Sequence, residues 1–493
     1  MDRLTALHLS NRLGFGPAQG DLARIADAGL DNYIQSQLHP KPANLPSNVT
    51  SVIQALPSFG KDSGTLFAEY WWKASVPNPK ALAEDEKRRL NRHEKQVVRE
   101  AQIARLARAV GSPWQLHEAL VEFWYNHFNV YEKKGAAKVW VGAYEEEAIR
   151  PNTLGKFSDL LLATAKHPAM LVYLDNAQNV APMAASADMD MMDTNANTNA
   201  KKKNNGTGIN ENFAREVMEL HTLGVDGGYS QADVVALAHI LTGWSVGPGG
   251  AADAAAAAKL YRRDKGAFRF ARRKHDPSQE TLLGRSFSGD DVSEGEQALL
   301  MLAAHPSTAH HISYQLAQFF VADKPDAPLV DAMAKTFRAT NGDIRAVMNT
   351  MLTHPAFLAP ANVGTKYKTP YHYVVSAARA AGIEPDNVEP LSRAMDDLGQ
   401  PLYGCVSPDG YACTQAIWLD PNGLLHRISF ATDFGNGTYR GLGRSGELNM
   451  PDPDRILETI GPALSKETMA AVAEMPKASR AGAILGSPDF MRC

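Results

Sequence analysis

Apolar residues recur at helical spacing along almost the whole of this 493-residue chain. A recurrence every three to four residues predicts amphipathic helices that pack on one another. It predicts a helix over Asp21–Leu38, a long one over Ala81–Val110 and another over Trp114–Val130. Charged residues surround much of the long helix, which is typical of solvent exposure. Alternating patterns are scarce, and Phe268–Arg272 is the best strand. The expected fold class is all-α, with at most a short β-hairpin.

Two stretches without apolar periodicity interrupt these helices. Residues 183–208 are rich in Asn, Ala, Met and Lys, and this low complexity predicts a mobile loop. Residues 247–258 are rich in Gly and Ala and predict a second loop. Helices of similar character continue on both sides of each loop, and no repeat of fixed period is present. We therefore interpret residues 1–493 as one large multi-helical domain with long loop insertions.

Composition and charge exclude several classes of protein. Apolar residues make up 44% of the chain and charged residues 21%, which excludes a mainly disordered or collagen-like protein. The 50 Lys and Arg residues against 54 Asp and Glu residues give a net charge of −4, so no nucleic-acid partner is expected. No apolar run of about 18 residues is present, so no membrane span is expected.

Cysteines and the N-terminus leave alternatives open. Cys405 and Cys413 lie close together in a loop, where they form either one disulfide or two free thiols. The N-terminus lacks the basic and apolar regions of an export signal. This indicates either a cytoplasmic protein or one whose signal lies outside this sequence.

The segment from Asn210 to Gly224 concentrates carboxylates on one helix. At about 100° per residue, Glu211, Arg215, Glu216 and Glu219 fall on one arc. Arg215 has the four-residue spacing for pairing with both Glu211 and Glu219, which leaves Glu216 without such a partner. Two carboxyl groups in different environments could have the separated pKa values that acid–base chemistry requires. An ordinary amphipathic helix with its charged side in water has the same pattern.

Two other groups of polar residues could contact a ligand. His127 lies in an apolar arc beside Trp124, and Asn126 is on the more polar side of the same helix. His127 is either a neutral core histidine or part of a pocket lining. His275 and Asp276 follow a basic stretch, which is either a solvated hairpin or an anion-binding strand. No metal-ligand or phosphate-loop motif is present, so no metal and no cofactor are predicted.

Several motifs in a fixed order give the chain a resemblance to a bacterial family known as domain of unknown function 1800. Tyr125 stands where the family usually has a histidine. The motifs cover nearly the whole chain and are Leu9–Pro17, Phe123–Phe128, Arg150–Asn152, Tyr173–Asn176, Asn210–Gly224, Leu241–Trp244, His275–Asp276, Leu283–Gly284, His305–Pro306, Lys366–Pro370 and Trp418–Asn422.

The resemblance implies a cellular location and a companion protein but no particular reaction. Members of the family are usually exported, often beside a sulfatase-like companion protein, so a periplasmic or extracellular location is expected. Because Asn210–Gly224 is one of the family motifs, the resemblance favours the interpretation that this helix lines a functional cleft. It assigns no catalytic role to a particular glutamate.

Three functions follow as hypotheses. The first is a glycoside hydrolase acting on a bacterial or environmental polysaccharide, because that reaction needs an acidic and an ionised carboxyl group. In this hypothesis Glu216 is the general acid, and Glu219 or Glu211 is the base, kept ionised by Arg215. Asp175 is a further candidate for the catalytic carboxylate. The candidate substrate-binding residues are Arg215, Trp124, Asn126, His127, Trp244, His275, Asp276 and Trp418.

The second hypothesis is a non-catalytic export, assembly or surface-binding protein that works with the companion. In that case Arg215, Glu216 and Glu219 form a structural network. The third hypothesis is a metal-dependent enzyme that uses His127, His221 or His275 together with carboxylates.

Overall fold

The computed structural model describes residues 1–76, 78–182, 208–247, 268–441 and 450–493. The predicted loops at 183–208 and 247–258 lie outside these residues, apart from Gly208 and Gly247. The described helices are Arg3–Arg12, Asp21–Ala28, Leu30–Leu38, Ser47–Gln54, Ser63–Tyr70, Trp72–Ser75, Glu84–Gly111, Gln115–His127, Ala137–Tyr144, Phe157–Lys166, Pro168–Tyr173, Asn212–Glu216, Gln231–Ile240, Val292–Ala303, Pro306–Phe320, Ala327–Ala339, Ile344–Thr353, Pro370–Ala381, Glu389–Asp397, Gln415–Trp418, Pro421–Gly435, Pro453–Ile460, Lys466–Glu474 and Lys477–Leu485. Two π-helical turns, Glu145–Ile149 and Val217–Thr222, continue the helices before them.

The all-α prediction is confirmed, and strands are confined to two short antiparallel pairs within the described residues. In the first, Trp244–Val246 pairs with Phe268–Phe270, in the register Trp244 opposite Phe270. In the second, Glu280–Leu282 pairs with Arg285–Phe287. The strand predicted at Phe268–Arg272 is present only over Phe268–Phe270, because the chain enters a 3-10 turn at Arg272. The second pair was not predicted, because each of its strands has three residues.

The helix predicted over Asp21–Leu38 is two helices. Gly29 separates them with a φ of +81°, a left-handed backbone conformation that glycine adopts without steric cost. The helix predicted over Trp114–Val130 is shorter, at Gln115–His127.

The expectation of solvent exposure for the long charged helix is wrong for its second half. Glu84–Gly111 begins with exposed charges, but from Glu94 onwards it packs against other helices along one side. Glu94, Glu100 and Arg105 are buried there together with apolar neighbours such as Val97. Two of these buried charges pair within the protein, Glu94 with Lys138 and Arg105 with Glu122 and Glu145.

The buried apolar residues form one cluster that runs in sequence from Ala6 to Met491. Its largest fully buried side chains include Trp124, Trp140 and Trp244. In the part of the chain that the structure describes, no helix combines the length and apolar character that crossing a membrane requires.

Candidate functional site

The predicted glutamate helix changes its geometry in the middle. Asn212–Glu216 is α-helical, and the next six residues, Val217–Thr222, form a π turn. Such turns often occur at functional sites, and each residue in them bonds to the residue five positions away. Side chains beyond Glu216 therefore do not follow the 100° spacing on which the sequence prediction relied.

Arg215 makes one of the two ion pairs that its spacing allows. One guanidinium nitrogen, Nη2, lies 2.9 Å from Glu211 Oε2 and also donates to Gln231 Oε1 at 2.9 Å. Gln231 Nε2 in turn donates to Glu211 Oε2 at 2.8 Å. Among the described residues, Glu219 has no ion pair with Arg215, and its Oε2 accepts a hydrogen bond from the Tyr229 hydroxyl at 3.3 Å.

Glu216 and Glu219 nevertheless have different environments. Glu216 is half-buried, and this burial raises the pKa of its carboxyl group. The nearby charges of Glu219 and Asp409 raise this pKa further, while Arg215 opposes them. Glu216 therefore holds a proton more strongly than a glutamate in water does, and the neighbouring Glu219 accepts a hydrogen bond from Tyr229. The raised pKa of Glu216 comes mainly from burial, whereas the sequence prediction relied on which carboxylates pair with Arg215.

A loop over residues 405–411 lies against the same region. Asn126 holds this loop through two bonds, from its Nδ2 to the Tyr411 carbonyl at 2.8 Å and from the Tyr411 amide to its Oδ1 at 2.7 Å. The Tyr173 hydroxyl donates to the Val406 carbonyl at 2.9 Å. The charge of Asp409, in this loop, acts on Tyr173 as well as on Glu216. Asn126 therefore fixes a loop beside Glu216, with its own amide group already bonded.

Asp175 lies next to the start of the glutamate helix. Asn212 Nδ2 donates to the carbonyl of Leu174, directly before Asp175, at 3.2 Å. The carboxylate of Asp175 is 2.8 Å from Lys134 Nζ, and its backbone is left-handed, with φ at +60°. The structure thus brings Asp175 near the helix, already paired with a lysine.

His127 belongs to a group of three histidines, two of them buried and the third, His311, partly buried. Its ring centroid lies 6.1 Å from that of His221 and 6.4 Å from that of His311. Its Nε2 is 3.1 Å from the His221 carbonyl in the π turn. Burial lowers the pKa of His127 to about 3 and that of His221 well below its ordinary value. These rings are neutral, as expected for core histidines.

The three tryptophans of the sequence prediction have different surroundings. Trp124 and Trp244 are fully buried, and Trp124 Nε1 donates to the Thr153 carbonyl at 3.1 Å. Trp418 is half-buried, and its indole donates to the Ala412 carbonyl at 2.7 Å. Of these three, Trp418 alone has ring surface open to a ligand.

His275 and Asp276 lie apart from the glutamates, at the other end of the Gln231–Ile240 helix. His275 is buried, with Nδ1 at 3.0 Å from the Thr242 carbonyl and Nε2 at 3.2 Å from the Glu294 carboxylate. Asp276 Oδ2 is 2.7 Å from Nδ1 of His239. Because Gln231 contacts Glu211 and His239 is eight residues further along the helix, the two groups are about 12 Å apart along its axis.

Sequence reasoning missed a buried network of ionised side chains. Arg150 lies 2.9 Å from Glu118 and 2.8 Å from Glu145. Arg105 pairs with Glu122, and its Nη1 is 3.2 Å from Glu145. Burial alone would raise the pKa of Glu118, but Arg150, His117 and Arg108 together outweigh burial and lower that pKa to about 2. Burial raises the pKa of Glu122.

Two cavities lie beside this network. The π turn Glu145–Ile149, which carries Glu145 of the network, contributes lining residues to both. One has a volume of about 190 Å³, and its lining includes Ser58, Glu145 and Tyr403. The other, of about 720 Å³, is lined by residues that include Glu118 and Arg150. The signal available in the sequence was the run of three glutamates at 145–147, which Ala148 and Ile149 separate from the Arg150–Asn152 motif.

Comparison with known proteins confirms the resemblance seen in the sequence. The family model described as "Protein of unknown function (DUF1800)" matches residues 8–492. The chain belongs to this family. No curated protein and no solved structure matches it significantly. Membership in the DUF1800 family assigns no reaction, so the reaction has to be argued from the site.

Proposed function

We propose that this DUF1800 protein is a glycoside hydrolase that cleaves a polysaccharide with Glu216 as general acid and Glu219 as base or nucleophile. The observation that carries the proposal is the half-buried carboxyl group of Glu216 close to the charge of Glu219. Burial favours the protonated form of Glu216 by raising the pKa of its carboxyl group, and Glu219 accepts a hydrogen bond from the Tyr229 hydroxyl. Glycoside hydrolysis requires this division between two carboxyl groups.

The neighbouring residues fit supporting roles. Arg215 and Gln231 hold Glu211 in place and present polar groups beside the two glutamates, where sugar hydroxyls could bind. Trp418 offers a ring face in the region of the 405–411 loop, since it lies against Tyr411 with 6.2 Å between ring centroids. Aromatic faces and polar side chains together are the usual means of binding carbohydrates.

The test is release of reducing ends from a broad panel of polysaccharides, including anionic and bacterial exopolysaccharides. Wild type, Glu216→Gln and a control, Glu474→Gln, which changes an exposed glutamate at a helix end, are compared. We expect release by wild type and the control and a loss of at least about a hundredfold in Glu216→Gln. Full activity of the Glu216→Gln variant with equal thermal stability would refute the assignment.

A partner-binding role is the second candidate, and exposed apolar side chains favour it. Ile417, Leu419, Leu425 and Ile428 lie near the start of the Pro421–Gly435 helix with exposed fractions of 43–61%. Clustered exposure of this kind is typical of protein interaction sites. The proposed partner is the sulfatase-like companion, met in the periplasm or outside the cell.

Co-elution with the purified companion in size-exclusion chromatography tests this role. We expect Leu425→Asp to abolish co-elution, because it places a charge on the apolar surface, and Lys466→Asp to leave it unchanged. Separate elution of the two wild-type proteins would exclude the role. Cell fractionation of the natural host tests the location.

A further inference from the structure

Three side chains with metal-binding atoms converge at the end of the Gln231–Ile240 helix, away from the glutamates. They are His239 in the last turn of that helix, Asp276, and Glu280 at the start of a strand. His239 Nδ1 is 2.7 Å from Asp276 Oδ2 and 3.6 Å from Glu280 Oε1. The three atoms all lie within 4.8 Å of one another.

These separations are close to those around a bound transition metal. With ligand distances of about 2.1 Å, neighbouring ligand atoms are about 3.0 Å apart in an octahedral site and about 3.4 Å apart in a tetrahedral one. The two measured separations bracket those values. The third separation, between Asp276 and Glu280, is at most 4.8 Å, so the three atoms are close enough to coordinate one ion after a small adjustment of the side chains.

The backbones that carry two of the ligands are tied together by one buried threonine. The Thr242 hydroxyl donates to the His239 carbonyl at 2.6 Å and accepts from the Asp276 amide at 2.8 Å. Thr242 is completely buried, so these bonds are shielded from water. Such supporting bonds are characteristic of metal sites, where they hold ligands in place before the ion binds.

The remaining oxygen of Asp276 is also fixed. Asp276 Oδ1 accepts from the amide of Ser278 at 3.0 Å and from its hydroxyl at 2.7 Å. The same hydroxyl lies 3.3 Å from Glu280 Oε1. Asp276 Oδ2 is thereby directed at His239. Among the described residues, no lysine or arginine forms an ion pair with Asp276 or Glu280, so two carboxylates face a single imidazole.

We propose that His239, Asp276 and Glu280 bind one divalent transition-metal ion of the zinc type. An imidazole with two carboxylates suits zinc and its neighbours better than magnesium or calcium, which prefer oxygen ligands alone. The three side chains are 14–21% exposed, so the site is reachable from solvent. Three protein ligands leave a position for water, as in catalytic rather than structural zinc sites.

Binding is measured with full-length protein that has been treated with a chelator and dialysed. Zn²⁺ is titrated by calorimetry, and Co²⁺ is used as a spectroscopic probe of the ligands. We expect one ion per chain and a cobalt spectrum without a thiolate charge-transfer band, which excludes Cys405, Cys413 and Cys493 as ligands. Asp276→Asn and Glu280→Gln should each weaken binding at least about tenfold.

The matched control is Glu216→Gln, which should bind Zn²⁺ as wild type does because its carboxylate belongs to the other group of residues. This separates the metal site from the proposed hydrolase, since either could fail alone. Unfolding curves of Glu280→Gln show whether it is folded. Absence of stoichiometric binding to wild type, or unchanged affinity in both ligand variants, would overturn the proposal.

Discussion

Replacing Arg150 by methionine tests whether the buried network stabilises the protein. Arg150 is 8% exposed and contacts the carboxylates of Glu118 and Glu145, which are 5% and 2% exposed. Methionine fills a similar volume without the charge, so the variant leaves two buried carboxylates with less compensation. Removing one partner of a buried pair commonly costs about 3–5 kcal/mol of unfolding free energy.

The pKa of Glu118 gives an independent magnitude. Its value of about 2 in the folded protein lies below the ordinary 4.5, and a difference of this size corresponds to about 3 kcal/mol. Because the folded-state pKa is the lower one, this stabilisation is complete above pH 4.5. It is lost as the pH falls from about 4.5 to about 2. The difference between wild type and Arg150→Met should therefore be largest near neutral pH and shrink in acid.

Guanidinium-chloride unfolding followed by circular dichroism measures both effects. The matched control is Arg215→Met, whose ion pair with Glu211 has side chains 39% and 37% exposed. An exposed pair at this spacing contributes about 0.5 kcal/mol or less. We expect Arg150→Met to lose about 3 kcal/mol at pH 7 and Arg215→Met almost nothing. Equal losses in the two variants would refute the reasoning from burial.

Three further predictions concern packing and buried bases. A Cβ atom at Gly435 would lie 2.2 Å from the backbone nitrogen of Gly482, so Gly435→Ala should lose about 3 kcal/mol in denaturant titrations, whereas Gly461→Ala, with open space around it, should lose nothing. His127 has a folded-state pKa of about 3, below the ordinary 6.5, so the protein loses unfolding free energy as the pH falls below 6.5. His127→Gln should reduce that loss of unfolding free energy between pH 6.5 and 5 by up to about 2 kcal/mol. Burial lowers the pKa of Lys368 to about 7, so Lys368→Met should raise the melting temperature at pH 6, with a gain that shrinks as the pH rises from 7 towards 10.5.

The fold class could be predicted because it depends on local spacing. Apolar residues at helical intervals locate helices within a few residues, as at Gln115–His127 and Glu84–Gly111. The break at Gly29 was missed because the apolar pattern continues across it, and glycine alone does not say whether a helix bends or ends. The short hairpin at Glu280–Leu282 and Arg285–Phe287 has too few residues to show an alternating pattern.

Part of the glutamate site could also be predicted. The pair of Arg215 with Glu211 follows from a four-residue spacing inside a regular helix. Glu219 was placed with Arg215 by the same rule, but the helix becomes a π turn after Glu216. Whether a turn is α or π depends on tertiary contacts, such as the one between His127 and the His221 carbonyl, which no local spacing reveals.

The buried network was not predictable for a different reason. A helix whose charges are in water and a helix whose charges pair inside the protein can carry the same residues, and only distant partners distinguish them. Arg105 finds Glu145 forty residues away, and the π turn at Glu145–Ile149 turns three successive glutamates towards different partners. Glu146 pairs with Arg108, while Glu147 accepts from the amide and hydroxyl of Ser63.

This arrangement separates what holds the fold from what is proposed to act on substrate. The ion pairs of Arg150 join the Gln115–His127 helix to the π turn Glu145–Ile149 inside the protein. Glu216, in contrast, is half-buried next to a surface loop and has no part in those pairs. Loss of Arg150 should therefore lower stability without changing the pH dependence of any activity at Glu216. Loss of Glu216 should abolish that activity without lowering stability. A half-buried carboxyl group with a raised pKa destabilises the folded state, and its removal relieves this destabilisation.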